Sequence, residues 1–298
     1  MDGMQRIYVI ATPKHKPAVV PVLKEVLPWL RRQATVVKVD TDGAGNLRHV
    51  KADLLLVFGG DGSILAAARR LHGNPIPVLG VNLGHLGFLS EISAHGLQRA
   101  LPRILRGDYV LSPRMMLLAL VPVFTSRAGP ADASSPGARK LRVREYVVLN
   151  DAVILRRPHS AMIGVEVRVS GEPIARYKGD GLIVSTATGS TGYNLSAGGP
   201  ILSERLKALI VTPICPHTLA NRPIVLSGEE TLDICAETRS GAPVELIFDG
   251  QVGCRLPSRA VVTIGRAPYE LNLVTAGRKG RYEIIRDKLH WAGWGKER

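Results

Sequence analysis

Aromatic side chains make up only 5% of the 298 residues, so Val, Leu, Ile and Ala must supply most of the packing within a hydrophobic content of 45%. Cysteine is scarcer still. Cys215, Cys235 and Cys254 match neither a disulfide framework nor a zinc site, and they read as reduced core residues of a cytosolic protein. No apolar run approaches the roughly 18 residues of a membrane span, and no basic-then-apolar leader precedes Ile7. A soluble, cytoplasmic protein without a membrane partner is therefore expected. Acidic residues are also short, at 25 against 39 Lys and Arg, which leaves a net charge of +14. That excess suits nucleic acid, anionic membranes or polyanionic small molecules. The basic residues are dispersed, however, and no zinc or RNA-binding signature accompanies them. A phosphate-rich small substrate is favoured, and nucleic acid is not.

Several familiar sites are missing too. There is no GxxxxGK[ST] loop, no GxGxxG opening a helix, no GxSxG elbow and no HExxH helix. These absences disfavour a Walker-type ATPase, a standard dehydrogenase, an esterase and a zinc peptidase. At 298 residues the chain is long enough for two domains, each with its own core.

What is present centres on Asp53 to Ser63. Leu54 to Phe58 is a short apolar run that fits a strand buried on both faces. Gly59, Gly60 and Gly62 strip the following turn of side chains, and Ser63 reads as the cap of a helix running through Leu71. A bare turn at a helix N-terminus favours phosphate. The one carboxylate there, Asp61, would repel phosphate but suits the removal of a proton from a hydroxyl. A tight turn with a solvated Asp is the alternative.

Around this turn the first third alternates strand and helix. Strands are expected at Ile7–Ile10, Thr35–Val39, Leu54–Phe58 and Pro77–Val81, with one helix opened by Pro17 and another capped by Ser93. The pattern predicts a parallel α/β domain over residues 1–107, with ligands beyond the C-terminal strand ends. Gly80 to Leu89 is a second glycine-rich strand end, where Asn82 could bond a sugar or base edge and Phe88 is either a flat face for a base or a core residue. His85 lacks partners for a metal role.

From Tyr109 the period shifts to short β-type runs, interrupted by a Ser/Ala/Pro/Gly-rich loop at 125–140. After the strand Leu182–Thr186, strand-like runs continue at Ile224–Leu226, Thr231–Cys235, Val244–Phe248, Ala260–Ile264 and Glu270–Val274. Residues 108–274 read as an all-β domain, and the tail 275–298, with Trp291 and Trp294, is expected to pack back on the first domain. The densest polar stretch runs from Thr188 to Pro200, just after the strand Leu182–Thr186. Its hydroxyls, amide and glycines suit ribose hydroxyls and phosphate oxygens. A carboxylate in a phosphate-friendly turn, with a second hydroxyl-rich loop, suits phosphoryl transfer to an alcohol.

FGGDGS at 58–63, GVNLGHLGFLSE at 80–91, LND at 149–151, DGLIVSTATGSTGYNLSAGGP at 180–200 and PHTLANRPIV at 216–225 together resemble bacterial NAD kinase over nearly the whole chain. GGDG alone is shared with diacylglycerol and sphingosine kinases; the long 188–200 segment with Asn150-Asp151 is not. The resemblance implies an N-terminal parallel, Rossmann-like α/β domain of the GGDG kinase type and a C-terminal β-sandwich. It further implies ATP-dependent phosphorylation of the adenosine-ribose 2′-hydroxyl of NAD and a homodimer or homotetramer. Carried over by residue, Asp61 would accept the proton, with Gly62 at the same turn. Asn150 and Asp151 would hold ribose or adenine groups, and Asp180 the nicotinamide side. Thr188, Thr191, Gly192, Tyr193, Asn194, Leu195 and Ser196 would line the adenine and ribose pocket. By the same resemblance Phe88, Gln251 and Lys178 would be further NAD contacts, Lys178 standing where many relatives carry Arg and Gly192 where Ala is usual. Magnesium or another divalent cation is expected to arrive with ATP, since no dedicated metal cage is visible. Whether polyphosphate replaces ATP stays open. A lipid kinase using the same turn and a noncatalytic NAD- or polyanion-binding protein are the alternatives.

Overall fold

The computed structural model describes residues 5–12, 17–84, 87–90, 92–125, 140–218, 220–275 and 281–289. The expectations for His85, for most of the 125–140 loop and for Trp291 and Trp294 lie outside them. The chain divides into two compact units, residues 1–113 with 272–298 and residues 114–271.

The first unit opens with β1 (Arg6–Ala11), α1 (Val19–Gln33), β2 (Thr35–Asp40), β3 (Leu54–Phe58), α2 (Asp61–Leu71), β4 (Val78–Asn82), the two-residue β5 (Ile92–Ser93) and α3 (Ala94–Leu105). Strands pair in parallel in the order β2-β1-β3-β4, with β5 beside β4. Every residue of β3 and β4 is buried, as a strand covered on both faces requires. Apolar positions of α1 (Val19, Leu23, Val26, Leu30) and α3 (Leu97, Leu101, Ile104) fall three or four apart and share one core with the sheet. Two helix starts differ from expectation. α1 begins at Val19 rather than at Pro17, and Pro28 sits inside it without ending it. Pro28 and the residue one turn back, Lys24, both face outward, so the carbonyl that Pro28 leaves unbonded lies on the exposed face. α2 begins at Asp61 with Gly60 at the N-cap, so Ser63 is inside the helix rather than capping it. Ser93 does cap α3, its hydroxyl accepting from the Gly96 N–H.

The second unit carries β6 (Val110–Thr125), β7 (Lys140–Val148), β8 (Asp151–Leu155), β9 (Ile163–Val169), β10 (Glu172–Gly179), β11 (Gly181–Thr186), a 3-10 turn (Gly189–Thr191), the single-turn α4 (Tyr193–Ser196), β12 (Ala208–Ile214), β13 (Ile224–Ser227), β14 (Leu232–Glu237), β15 (Val244–Phe248), β16 (Val252–Leu256) and β17 (Val261–Thr275). The ends of β6 and β17 belong to the first unit, which α5 (Arg281–Leu289) completes. An antiparallel sheet β13-β12-β11-β8-β15-β16 faces β10-β9-β14-β17 and the β6–β7 pair across one apolar core. β9, β14 and β15 alternate buried and less buried residues, the mark of one wet face. β8, β11 and β12 do not alternate, because a second small core (Val153, Ile183 and Ile214, with Leu155 and Ala197) covers their other face. The runs Ala260–Ile264 and Glu270–Val274, expected as two strands, are one strand, β17. β12, buried at all seven positions, has no counterpart among the strands expected from the sequence.

Candidate active site

In the first unit the site is the end of β3. Gly60 offers no capping side chain to α2, and a Cβ at Gly59 would lie 2.1 Å from the Ser63 Oγ, so the turn closes only with bare backbone. Asp61 is the first residue of the helix. Its carboxylate accepts from the Phe88 N–H (2.8 Å), the Leu89 N–H (3.2 Å) and the Ser90 hydroxyl (3.4 Å). Gly87 makes that contact possible, since a Cβ there would sit 1.8 Å from Asp61 Oδ1. Buried Asn82 extends the network, donating to Ser90 Oγ and accepting from the Gly84 N–H. Asn82 thus serves the loop itself. Three donors also fix the direction of the Asp61 carboxylate, and among the described residues one of its roughly four lone-pair positions remains for a further donor. Phe88 is half-buried, and Lys288 Nζ of α5 lies 5.8 Å from its ring centroid, within cation–π range.

In the second unit a cavity of about 340 Å³ is lined by Asn150, Asp151, Val153, Leu155, Tyr193, Ile247, Asp249 and Gly250. Asp249 and Gly250, with φ of 50° and 64°, are the left-handed central pair of the turn that joins β15 to β16, closed by the Gln251 N–H donating to the Phe248 carbonyl. The Asp249 carboxylate accepts from the N–H groups of Leu149, Asn150 and Asp151. This holds the start of β8, and with it Asn150 and Asp151, against the hairpin. Asp151 is 5% exposed, and burial, then the charge of Asp249, pushes its carboxyl up to about 7. Asn150 Oδ1 is buried without a hydrogen-bond partner among the described residues.

The 188–200 segment is built onto the outer face of β11 and β12. Gly189 rests on the Asn150 carbonyl, where a Cβ would approach to 2.2 Å. Asn194 is wholly buried: it donates to the carbonyls of Ser190 and Pro200 and accepts from the Thr212 hydroxyl. Ser190 ties back to Ala187 and Leu202 in the same way. Thr188 is buried, Thr191, Gly192 and Leu195 are half-buried, and Ser196 is exposed. A Cβ at Gly192 would stand 3.7 Å from Asn150 Nδ2 and 3.8 Å from Asp151 Oδ2. The structure therefore gathers Asn150, Asp151, Gly192 and Tyr193, while the Asn194 amide is spent inside the protein.

Asp180 joins Arg156 in an ion pair (2.6 Å), and Lys178, exposed two residues earlier, gives its carbonyl to the His217 N–H. Gln251 is exposed just beyond the cavity-lining Asp249 and Gly250. Asp249 is a cavity-lining position that sequence reasoning read only as part of a turn. Asp-Gly signals a turn, and nothing local to it reveals that the carboxylate is turned inward. Among the described residues, no three His, Cys, Asp or Glu side chains converge on a metal site, and no helix is long and apolar enough to cross a membrane.

Comparison with known proteins fits this geometry. The family model of the ATP-NAD kinase N-terminal domain matches residues 10–109, and that of the C-terminal domain residues 149–276. The chain is 40% identical to the NAD kinase of Geobacter metallireducens and 38% identical to that of Citrifermentans bemidjiense, each over 97% of this chain and 99% of the relative. Among solved structures, an NAD kinase from Archaeoglobus fulgidus in complex with ATP superposes with a TM-score of 0.69 at 25% identity, over 97% of this chain and all of that one. The yeast NADH kinase complexed with NADH gives 0.76 at 23% identity, over all of this chain and 91% of the other, and supports the fold. With both domains matched and near-complete coverage of these bacterial relatives, the chain belongs to the ATP-NAD kinase family.

Proposed function

We propose that the protein is an NAD kinase that moves the γ-phosphate of ATP to the 2′-hydroxyl of the adenosine ribose of NAD, giving NADP, with Asp61 as the proton acceptor. The observation that carries this role is the anchoring of the Asp61 carboxylate by Phe88, Leu89 and Ser90 at a glycine-lined helix start. In a loose phosphoryl-transfer transition state the nucleophile loses its proton late, so a well-placed acceptor counts for more than a strong base. One free lone-pair position on a carboxylate of fixed direction meets that need. The uncapped N-terminus of α2 favours the donor phosphates, with Gly62 in its first turn. The divalent cation is read as part of the substrate MgATP, since the described residues offer no ligand set of their own.

Asn150, Asp151, Gly192 and Tyr193 would take the adenosine portion of NAD, with Thr188, Thr191, Leu195 and Ser196 supporting the same segment. Asp180, steadied by Arg156, and Lys178 would serve the nicotinamide side. Cytoplasmic action as a homodimer or homotetramer completes the proposal. The test is NADP formation from NAD and MgATP, read with an NADP-specific dehydrogenase, in wild type and Asp61→Asn. The variant should bind NAD much as wild type does and lose on the order of 10²–10⁴-fold in turnover, the usual worth of general-base help. Turnover close to wild type would remove Asp61 from that role. Absence of NADP with wild type would sink the activity itself.

A further inference from the structure

Two carboxyl groups meet at the second-unit cavity, and the backbone treats them differently. Asp249 receives three main-chain N–H groups, those of Leu149, Asn150 and Asp151. Asp151 receives no donor to its carboxyl among the described residues, although it is 95% buried and lines the cavity. Beside it, Asn150 Oδ1 is a second buried acceptor without a partner among the described residues. Among the described residues, the charged or titratable groups that line the cavity with Asp151 are Asp249, from the β15–β16 hairpin, whose charge acts on Asp151, and Tyr193, from α4. No Lys, Arg or His is among the described cavity-lining residues. An ionised Asp151 would therefore be a buried charge with a like charge for a neighbour and no donor to stabilise it. A ligand bringing two hydroxyl donors would change that balance, because hydrogen bonds to a carboxylate favour its charged form.

We propose that Asp151 is the proton-linked contact of this cavity: it carries a proton in the free protein and releases it to solvent when the hydroxyls of a ribose donate to the carboxyl. In balance, the Asp151 acid and a ribose diol give the Asp151 carboxylate, hydrogen-bonded to both hydroxyls, and one proton taken up by the buffer. The inference rests on the reading of Asn150 and Asp151 as ribose or adenine contacts. It adds that dinucleotide affinity is set by pH through a single side chain.

Calorimetric titration of NAD alone into the whole protein tests this, run at each pH in two buffers of different ionisation enthalpy. At about pH 6 the heat should depend on the buffer in the sense of proton release, approaching one proton per NAD bound. The dependence should fade by about pH 8.5, and NAD affinity should drop up to tenfold per pH unit on the acid side of that range. Asp151→Asn should bind NAD with buffer-independent heats throughout. Binding of NAD to wild type with buffer-independent heats, or with proton uptake, overturns the inference while leaving the site reading intact. No NAD binding at all overturns the site reading. Should Asp151→Asn fail to fold, the wild-type pair of buffers decides the matter by itself.

Discussion

Asp61 and Asp151 are both carboxylates close to glycines, yet their surroundings hold them in opposite ways. Asp61 is fixed by donors from residues 88–90, and that arrangement depends on the missing side chain at Gly87. Gly87→Ala should displace Asp61 and cut turnover by at least tenfold with little change in thermal stability, because the clash falls on a half-exposed side chain rather than on the core. Steady-state kinetics beside a melting curve would check this; unchanged kcat would mean that the anchoring is dispensable. Asp151, by contrast, binds its proton more tightly in the folded protein than in the unfolded chain. Its contribution to stability is thus complete below the ordinary value of 3.8 and is lost as the pH rises through about 7. Urea unfolding across that window should show Asp151→Asn losing less stability with rising pH than wild type does. Parallel pH profiles would place the titration elsewhere.

At the scale of elements, the segment from Gly189 to Pro200 is rich in Gly and Ser, as a flexible linker would be, but it is pinned along its length. Asn194 is its central fastening, with both ends of its amide engaged, and Gly199 is tight against it: a Cβ there would lie 2.0 Å from Asn194 Oδ1. Asn194→Ala would strand the buried Ser190 carbonyl, the part-buried Pro200 carbonyl and the buried Thr212 hydroxyl. A loss of about 3 kcal/mol or more in the unfolding free energy is expected from chemical denaturation. A variant of wild-type stability with only weakened NAD binding would instead return Asn194 to a direct ligand role. The same scale explains why β12 was not legible in Ala208 to Ile214. Seven buried residues have no period to detect, and Pro213 argues against a strand when only local rules are applied. The helix start at Asp61 was misplaced for a related reason. Ser63 looks like a cap, but its hydroxyl lies against the position a Cβ at Gly59 would occupy, while Gly60 takes the cap site.

For the whole molecule, the net charge of +14 is set against substrates that are both anions. A field of that size draws polyanions from a distance and is screened over about 8 Å at physiological salt. Raising KCl from about 0.05 to about 0.3 M should therefore lower kcat/KM severalfold, while kcat itself changes little. A salt response confined to kcat would mean that the charge acts on the chemical step and not on capture. Each unit also has its own apolar core, the first around a parallel sheet and the second between two largely antiparallel layers.

Local sequence was enough for the parallel α/β layer, the β-rich remainder and the bare turn at Gly59 to Gly62, since short-range periods and side-chain-free turns record those choices directly. The grouping of Asn150 and Asp151 with Tyr193 came instead from the resemblance to the NAD kinase family. Tertiary structure alone decided that the loop at 88–90 clasps Asp61, that Asp249 reaches back about a hundred residues to hold the start of β8, and that Asn194 is consumed internally. The first two outcomes depend on which backbone donors a distant part of the chain leaves open, and the third on two nearby carbonyls and the Thr212 hydroxyl converging on one buried amide; packing of that kind leaves no pattern in the letters.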